Sequence, residues 1–387
     1  MLFSIALILM SGMALGWLCQ KCQLPGLIGM LLAGVVLGPY AFNLIDASIL
    51  SISPDIRKMA LVIILTRAGL SLDLSSFKKI GKHAILMCFV PASFELIGMI
   101  LLAPKFLGLS LLEAAIMGAV LAAVSPAVVV PRMLKLMEQG YGTRKGIPQL
   151  ILAGASVDDV YVIVLFTTFI GLIQGHEASA IPFLNLPLSI VFGAILGFFV
   201  GWMLSRYFKA VQTDNTVKTL IVLSLSFFLT TAEDSLQSPI SFSALIAIMF
   251  MGIALHRYQK ETAVQLSQKY HTLWRVAEIF LFVLVGASVN LHYLGNLGAS
   301  ALLVIAGALI FRMIGVWICL VGMDLSPKER LFTMMAYSPK ATVQAAIGGI
   351  PLSLGLNCGD MILTVAVLAI VLTAPLGAFA IDWSYKK

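Results

Sequence analysis

The chain has 387 residues, of which 60% are hydrophobic and only 11% are charged, and its formal net charge is +7. A soluble domain of this length needs far more charged surface, so the composition excludes a water-soluble globular protein. Apolar segments long enough to cross a bilayer as helices recur from end to end, and they lack the period-two alternation of barrel strands. The chain is therefore predicted to be an all-α polytopic membrane protein.

About thirteen transmembrane helices are predicted. The first apolar run has no basic residue before it, so it is expected to be a true span and not a cleaved signal. The chain is expected to form a single transmembrane domain over 1–387 without a soluble regulatory domain. In chain order, the predicted spans cover approximately 2–18, 25–42, 56–71, 83–103, 111–136, 147–173, 187–206, 217–232, 240–255, 272–290, 298–321, 328–350 and 359–381.

Loop charge predicts the orientation of these spans. Cytoplasmic loops of membrane proteins carry an excess of lysine and arginine. With the N-terminus outside and the C-terminus in the cytoplasm, the outward segments hold only Arg57, Lys58 and Lys105. The inward segments hold Lys21, Lys78, Lys79, Lys82, Arg132, Lys135, Arg144, Lys145, Arg206, Lys209, Lys218, Arg257, Lys260, Lys269, Arg275, Lys328, Arg330, Lys386 and Lys387. The positive charge therefore indicates a multi-pass protein of the cell (inner) membrane, and not a nucleic-acid partner.

A weak internal repeat joins two parts of the chain. Ser125-Pro126 in A-V-S-P-A-V-V-V-P and Ser338-Pro339 in A-Y-S-P-K-A-T-V-Q lie 213 residues apart, each inside a predicted span. The two interrupted spans are the fifth and the twelfth, seven positions apart, and because seven is odd the repeat units, about 83–173 and 298–381, have opposite orientations. Inverted repeats with one interrupted helix each are typical of secondary transporters, with the substrate site between the breaks. A simple proline kink at each position is the alternative.

Two adjacent acids are the main candidates for chemistry. Asp158 and Asp159 stand near the middle of span 147–173, where a charge is costly and usually functional. Two carboxylates this close disfavour joint ionisation in a low dielectric, so one of them binds either a proton or a small hard cation. The pair is predicted to be the proton site and the metal site for a small hard cation, which the resemblance described below identifies as Na⁺ or Li⁺. A hydrogen-bonded pair that only fixes helix packing is the alternative.

Four further residues are predicted to support this pair. Arg312 keeps its proton at any working pH, so it needs an anionic partner when buried. Both Glu95 and Asp158 are candidates for that partner, and the choice stays open. Lys340 is predicted to neutralise the carbonyl end of the second broken helix, unless it extends to the membrane surface. Ser125 is expected to help satisfy the first break.

Other residue types give weaker signals. The five histidines and five cysteines form no cluster at the middle of the spans, so no cofactor is expected beyond the transported cation and H⁺. Neither a G-x-S-x-G motif nor a metal-ligand set is present, so the protein is not expected to be an enzyme. Gly12 and Gly16 form a GxxxG pattern in the first span, which suits a contact between two copies of the chain.

Several motifs together resemble one known family. They are P-G-L-I-G-M-L-L-A-G-V-V-L-G-P (25–39), I-I-L-T-R-A-G-L-S-L-D (63–73), S-P-A-V-V-V-P (125–131) with D-D (158–159), F-L-F-V-L-V-G-A (280–287) and S-P-K-A-T-V-Q-A-A-I-G-G-I-P (338–351). The combination resembles the NHA branch of the cation/proton antiporter superfamily, of sodium/proton exchanger type, and we expect a bacterial member.

The resemblance implies an inverted-repeat fold with two crossed discontinuous helices. It also implies a homodimer, in which a core bundle moves against a dimerisation bundle in an elevator-like alternating-access cycle. Asp159 would be the ion and proton carrier, and Asp158 would pair with the base at Arg312. Many relatives carry lysine where this chain has Arg312, which leaves the proton-to-cation ratio open. If Asp158 pairs with Arg312, one proton leaves per Na⁺ and exchange is electroneutral, which is the expectation; if Glu95 pairs, two protons can leave.

Two alternatives to Na⁺(Li⁺)/H⁺ exchange follow from the same pattern. K⁺/H⁺ exchange is the nearer one, although such relatives usually carry a nucleotide-binding domain. A sensor that has the transporter fold but does not transport is the other, and the intact Asp158-Asp159 pair argues against it.

Overall fold

The computed structural model describes residues 1–22, 24–72, 81–174, 180–211, 213–235 and 242–384, and every regular element in these ranges is a helix. Lys78, Lys79, Lys386 and Lys387 of the predicted inward face lie outside the described residues. The helices are α1 Leu2–Lys21, α2 Gly26–Leu37, α3 Ala47–Ser51, α4 Ser53–Ser71, α5 Lys82–Leu107, α6 Leu111–Leu121, α7 Pro126–Glu138, α8 Ile147–Ile173, α9 Ala180–Ala210, α10 Asn215–Ser235, α11 Ala244–Tyr258, α12 Lys260–Ala287, α13 Leu291–Cys319, α14 Pro327–Ala336, α15 Thr342–Ile347, α16 Ile350–Ser353 and α17 Gly359–Ser384.

The helices support a multi-pass membrane protein. Within the described ranges, nine helical segments are long and apolar enough to cross a membrane, counting α6 and α7 together as one. Two shorter apolar helices, α2 and α11, add to these. Each predicted span overlaps one or more helices, and the count of thirteen spans stays a prediction.

Both predicted helix interruptions are present. The backbone leaves the helix between α6 and α7 over Ala122–Ser125, and between α14 and α15 over Tyr337–Ala341. Pro126 is the first residue of α7, where its missing N–H costs no helical hydrogen bond. The Ser125 N–H donates to the Pro339 carbonyl at 2.8 Å, so the two breaks touch. The predicted pair of discontinuous helices is therefore confirmed.

The repeat is visible in the helices that flank these breaks. Both broken helices begin with a capping box, Ser110 with Glu113 in α6 and Ser326 with Glu329 in α14. The preceding helices α5 and α13 pack against each other through glycines that leave no room for a Cβ: Gly98 lies against Phe311, Gly307 against Leu102 and Gly315 against Pro91. Residues later in the sequence of α5 contact residues earlier in the sequence of α13. The paired helices are therefore antiparallel, as an inverted repeat requires.

The chain divides into two compact units. One holds Met1–Arg57, Ser76–Ile173 and Ile279–Lys387, and so contains both predicted repeat segments. The other holds Lys58–Ser75 and Gln174–Glu278. Within this second unit, α9 and α11 pack with their backbones close together, because Gly193, Gly197 and Gly201 of α9 recur every four residues. The assignment of a single transmembrane domain stays a prediction.

One detail of the sequence interpretation is wrong. Gly12 faces Ile279 and Val283, and Gly16 faces Gly26 and Met30, so the GxxxG pattern packs helices of one chain and is not free for a second copy. Its signal was ambiguous because small residues serve close helix packing within a chain equally well. Arg57, assigned to an outward segment, lies near the beginning of α4 and is 6% exposed, and its orientation in the membrane stays a prediction.

Candidate functional site

Five ionisable side chains from four helical regions meet beside the two breaks. Glu95 comes from α5, Asp158 and Asp159 from α8, Arg312 from α13, and Lys340 from the second break. All are buried: Glu95, Asp158, Arg312 and Lys340 are exposed by 0–1%, and Asp159 by 8%. We call these five residues the charge cluster.

Arg312 lies at the centre of the charge cluster. Its Nη1 donates to Glu95 Oε2 at 2.7 Å, and its Nη2 donates to Asp158 Oδ2 at 2.7 Å. Arg312 therefore pairs with both Glu95 and Asp158, the two candidate partners that the sequence left open. The guanidinium group has enough donors for each acid. The positive charge of Arg312 would be very costly to bury without a partner, and the two acids compensate it.

Arg312 also caps both broken helices. Its Nη1 donates to the Ala122 carbonyl at the end of α6, and its Nε donates to the Tyr337 carbonyl at the end of α14. The carbonyl end of a helix carries partial negative charge and lacks backbone partners. One side chain thus joins the two breaks to both acids. The guanidinium carbon also lies 5.0 Å from the centre of the Tyr337 ring.

Lys340 pairs with Glu95 and not with a helix end. Its Nζ lies 2.6 Å from Glu95 Oε2, the same oxygen that accepts from Arg312. Its backbone N–H donates to Thr373 Oγ1 at 2.8 Å. The predicted capping role at the second break thus belongs to Arg312, and Lys340 supplies the second cation of the cluster.

The two adjacent aspartates have different surroundings. Asp158 Oδ2 accepts from Arg312 and from the Val124 N–H of the first break at 2.9 Å. In the described part of the chain, the structure gives Asp159 no ion pair, and its Oδ1 is buried without a hydrogen-bond partner. Asp158 Oδ1 and Ser125 Oγ are likewise buried without partners. Unpartnered oxygens of this kind suit a proton or a hard monovalent cation, which prefers oxygen ligands.

Sequence reasoning missed two residues of this site. Gln344 is fully buried, and its Nε2 donates to the carbonyls of Leu121 at 3.2 Å and Ala123 at 3.0 Å. The Tyr337 hydroxyl donates to the Met87 carbonyl at 3.0 Å. Neither residue carries a charge, so a search for buried charges passes over both. The position of Gln344, four residues after Lys340 in the interrupted span, was the available signal.

Comparison with known proteins assigns the chain to a family. The family model described as "Sodium/hydrogen exchanger, transmembrane" matches residues 5–387. The chain belongs to the sodium/hydrogen exchanger family. This exchanger is similar to sodium/hydrogen exchanger 9B2 of Homo sapiens, at 34% identity over 372 residues, covering 92% of this chain and 68% of the relative. It is also similar to human sodium/hydrogen exchanger 9B1, at 30% identity over 368 residues, covering 92% and 70%.

A solved structure shows the same fold. The sodium proton antiporter MjNhaP1 from Methanocaldococcus jannaschii matches with a TM-score of 0.86, covering 99% of this exchanger and 97% of that chain at 21% identity. The family match and the human relatives confirm the resemblance to the cation/proton antiporter superfamily. The exchanger is a multi-pass cation/proton antiporter, a transporter and not an enzyme.

Proposed function

We propose that the exchanger moves Na⁺ or Li⁺ against protons by alternating access, with Asp159 as the carrier. One observation carries the proposal: of the three carboxylates in the charge cluster, Glu95 and Asp158 form ion pairs, whereas the described residues provide none for Asp159. A buried carboxylate without a cation partner favours binding of a proton or a metal cation. Asp158 and Ser125 supply further oxygens for the cation.

The charges of the cluster favour electroneutral exchange. Arg312 and Lys340 contribute two positive charges, and the three acids contribute three negative charges when ionised. One proton on Asp159 makes the cluster neutral, and one Na⁺ or Li⁺ in its place does the same. Swapping one for the other leaves the buried charge constant, which avoids the large cost of an uncompensated charge. The proposed ratio is therefore one proton per cation.

Movement of the helices that carry the two breaks and the charge cluster provides the alternating access. Arg312, Gln344 and the hydrogen bond from Ser125 to Pro339 join the two breaks, which supports their motion as one body with the carrier. We propose that the repeat segments, 83–173 and 298–381, move in an elevator-like manner against the remaining spans. We further propose a homodimer in the cell membrane, with the N-terminus outside and the C-terminus in the cytoplasm. The inward bias of basic residues supports this orientation.

Proton movement in proteoliposomes tests the carrier. Adding Na⁺, Li⁺ or K⁺ outside vesicles that contain a pH-sensitive dye should change the dye signal for Na⁺ and Li⁺ with wild-type protein. Asp159→Asn, which keeps the size and removes the charge, should abolish the signal at matched expression. Asp382→Asn is the control, because Asp382 is an exposed acid whose ion-pair partner among the described residues is Arg132. A full signal with Asp159→Asn contradicts the assignment, a K⁺-only signal favours K⁺/H⁺ exchange, and no signal with any ion favours a sensor.

A clamped membrane potential tests the ratio. Proteoliposomes held at different potentials with K⁺ and valinomycin should show the same rate and reversal point of Na⁺-driven proton flux. A rate or reversal point that shifts with potential indicates net charge movement, and two protons per cation would then replace the proposed ratio.

A further inference from the structure

Gln344 makes three hydrogen bonds that connect the two breaks. Its Nε2 donates to Leu121 and Ala123 at the carbonyl end of α6. Its Oε1 accepts from the Ala341 N–H at the start of α15, at 2.8 Å. The side chain thus satisfies the end of one half-helix and the beginning of another, groups that lack backbone partners. Among the uncharged residues of the site, none described in the structure touches both breaks in this way.

The contacts of Gln344 complement those of Arg312. The last turn of α6 and the first break present three successive carbonyls. Arg312 donates to the carbonyl of Ala122, and Gln344 donates to the carbonyls of Leu121 and Ala123. The next residue, Val124, donates its N–H to Asp158, and Ser125 follows with an unpartnered hydroxyl. The position of this short segment therefore determines where the oxygens of Asp158 and Ser125 lie relative to Asp159.

We propose that Gln344 is a positioning residue that fixes the first break and so sets the affinity of the exchanger for its cation. This inference rests on the proposed function and deepens it. The side chain must donate twice and accept once, and among side chains of this length an amide does so at every working pH. A carboxylate at this position would accept at Ala341 but face the two carbonyls of α6 without a donor.

Substitutions of Gln344 separate this role from space filling. Gln344→Met keeps the volume and removes all three hydrogen bonds, so the apparent KM for Na⁺ or Li⁺ should rise about threefold or more, with a smaller change in maximal rate. Gln344→Glu has a donor only when protonated. Its affinity should therefore approach that of the wild type at the acid end of the working range and fall below that of Gln344→Met at the alkaline end.

The matched control is Gln149, a glutamine of α8 whose Oε1 has no hydrogen-bond partner. Gln149→Met and Gln149→Glu should leave the apparent KM and its pH dependence as in the wild type. A purely structural role for Gln344 predicts no acid recovery in Gln344→Glu. Identical pH profiles for Gln344→Glu and Gln344→Met would therefore overturn the proposal.

Amide hydrogen exchange provides a readout that does not require transport. In Gln344→Met, the amides of Val124 and Ser125 should exchange faster than in the wild type, whereas Gln149→Met should leave them unchanged. Unchanged exchange in Gln344→Met would overturn the positioning role whatever the transport result. If the wild-type protein drives no proton movement, the proposed function fails, and hydrogen exchange alone decides whether Gln344 holds the break.

Discussion

The two helix breaks each interrupt a predicted span, but they differ in their chemistry. The first, over Ala122–Ser125, contains no ionisable residue, and groups from other helices hold it: Arg312, Asp158 and Gln344. The second, over Tyr337–Ala341, contributes its own cation, Lys340, to the charge cluster. The inverted repeat therefore accounts for the two helix breaks. The different side chains at the two breaks account for the charge cluster. The first break carries no charge and contacts Asp158, whereas the second break supplies a cation that compensates the charge of the acids.

Arg312 serves both breaks, so its loss should have the largest effect. Arg312→Ala should lower the free energy of unfolding by about 3–5 kcal/mol, because it leaves two buried acids without their shared partner. Thermal-shift double-mutant cycles with Glu95→Ala and with Asp158→Asn should each recover part of the loss. Arg132→Ala, which breaks a partly exposed pair, should cost less than about 1 kcal/mol. Zero coupling in both cycles would reject the pairing.

Lys340 lies in the second break and its side chain pairs with Glu95, which Arg312 also contacts, so its loss should matter less. In Lys340→Met, Glu95 keeps its ion pair with Arg312, so the expected destabilisation is about 2 kcal/mol, on the scale of one charged hydrogen bond. Thermal unfolding in detergent measures it. A loss as large as that of Arg312→Ala would show that Lys340 matters as much as Arg312 for the stability of the cluster.

The backbone of the second break depends on Thr373. Thr373→Val removes the acceptor of the Lys340 N–H and should cost about 1–2 kcal/mol, because a buried donor is left unsatisfied. Thr364→Val on the same helix is the matched control, since Thr364 Oγ1 is buried without a partner and its removal should cost little. Equal losses for the two variants would exclude a specific role for the Thr373 hydrogen bond.

Ser125 should show the smallest effect on stability. Its hydroxyl has no hydrogen-bond partner among the described residues, so Ser125→Ala should change the free energy of unfolding by less than about 0.5 kcal/mol. The same variant should raise the apparent KM for Na⁺ or Li⁺, because a candidate oxygen ligand is lost. Destabilisation comparable to Thr373→Val, with unchanged cation affinity, would instead assign the hydroxyl a structural role.

The sequence predicted the backbone frame better than the side-chain network. Long apolar runs and two Ser-Pro pairs are local signals, and both breaks appear where those pairs lie. The partners of Arg312 depend on the approach of three helices, and span periodicity leaves their rotation undetermined. Gln344 was missed because an uncharged amide in an apolar span has no large burial cost to mark it. Gly12 and Gly16 were misassigned because the spacing of glycines does not identify the packing partner.

The central claim is that one proton and one cation compete for Asp159, and proton release on cation binding tests it most directly. Adding Na⁺ or Li⁺ to purified protein in weakly buffered detergent solution should release up to one proton per bound cation, approaching one where Asp159 is fully protonated beforehand. Asp159→Asn should release none, whereas Asp382→Asn should behave as the wild type. Cation binding without proton release in the wild type, or undiminished release in Asp159→Asn, would contradict the account.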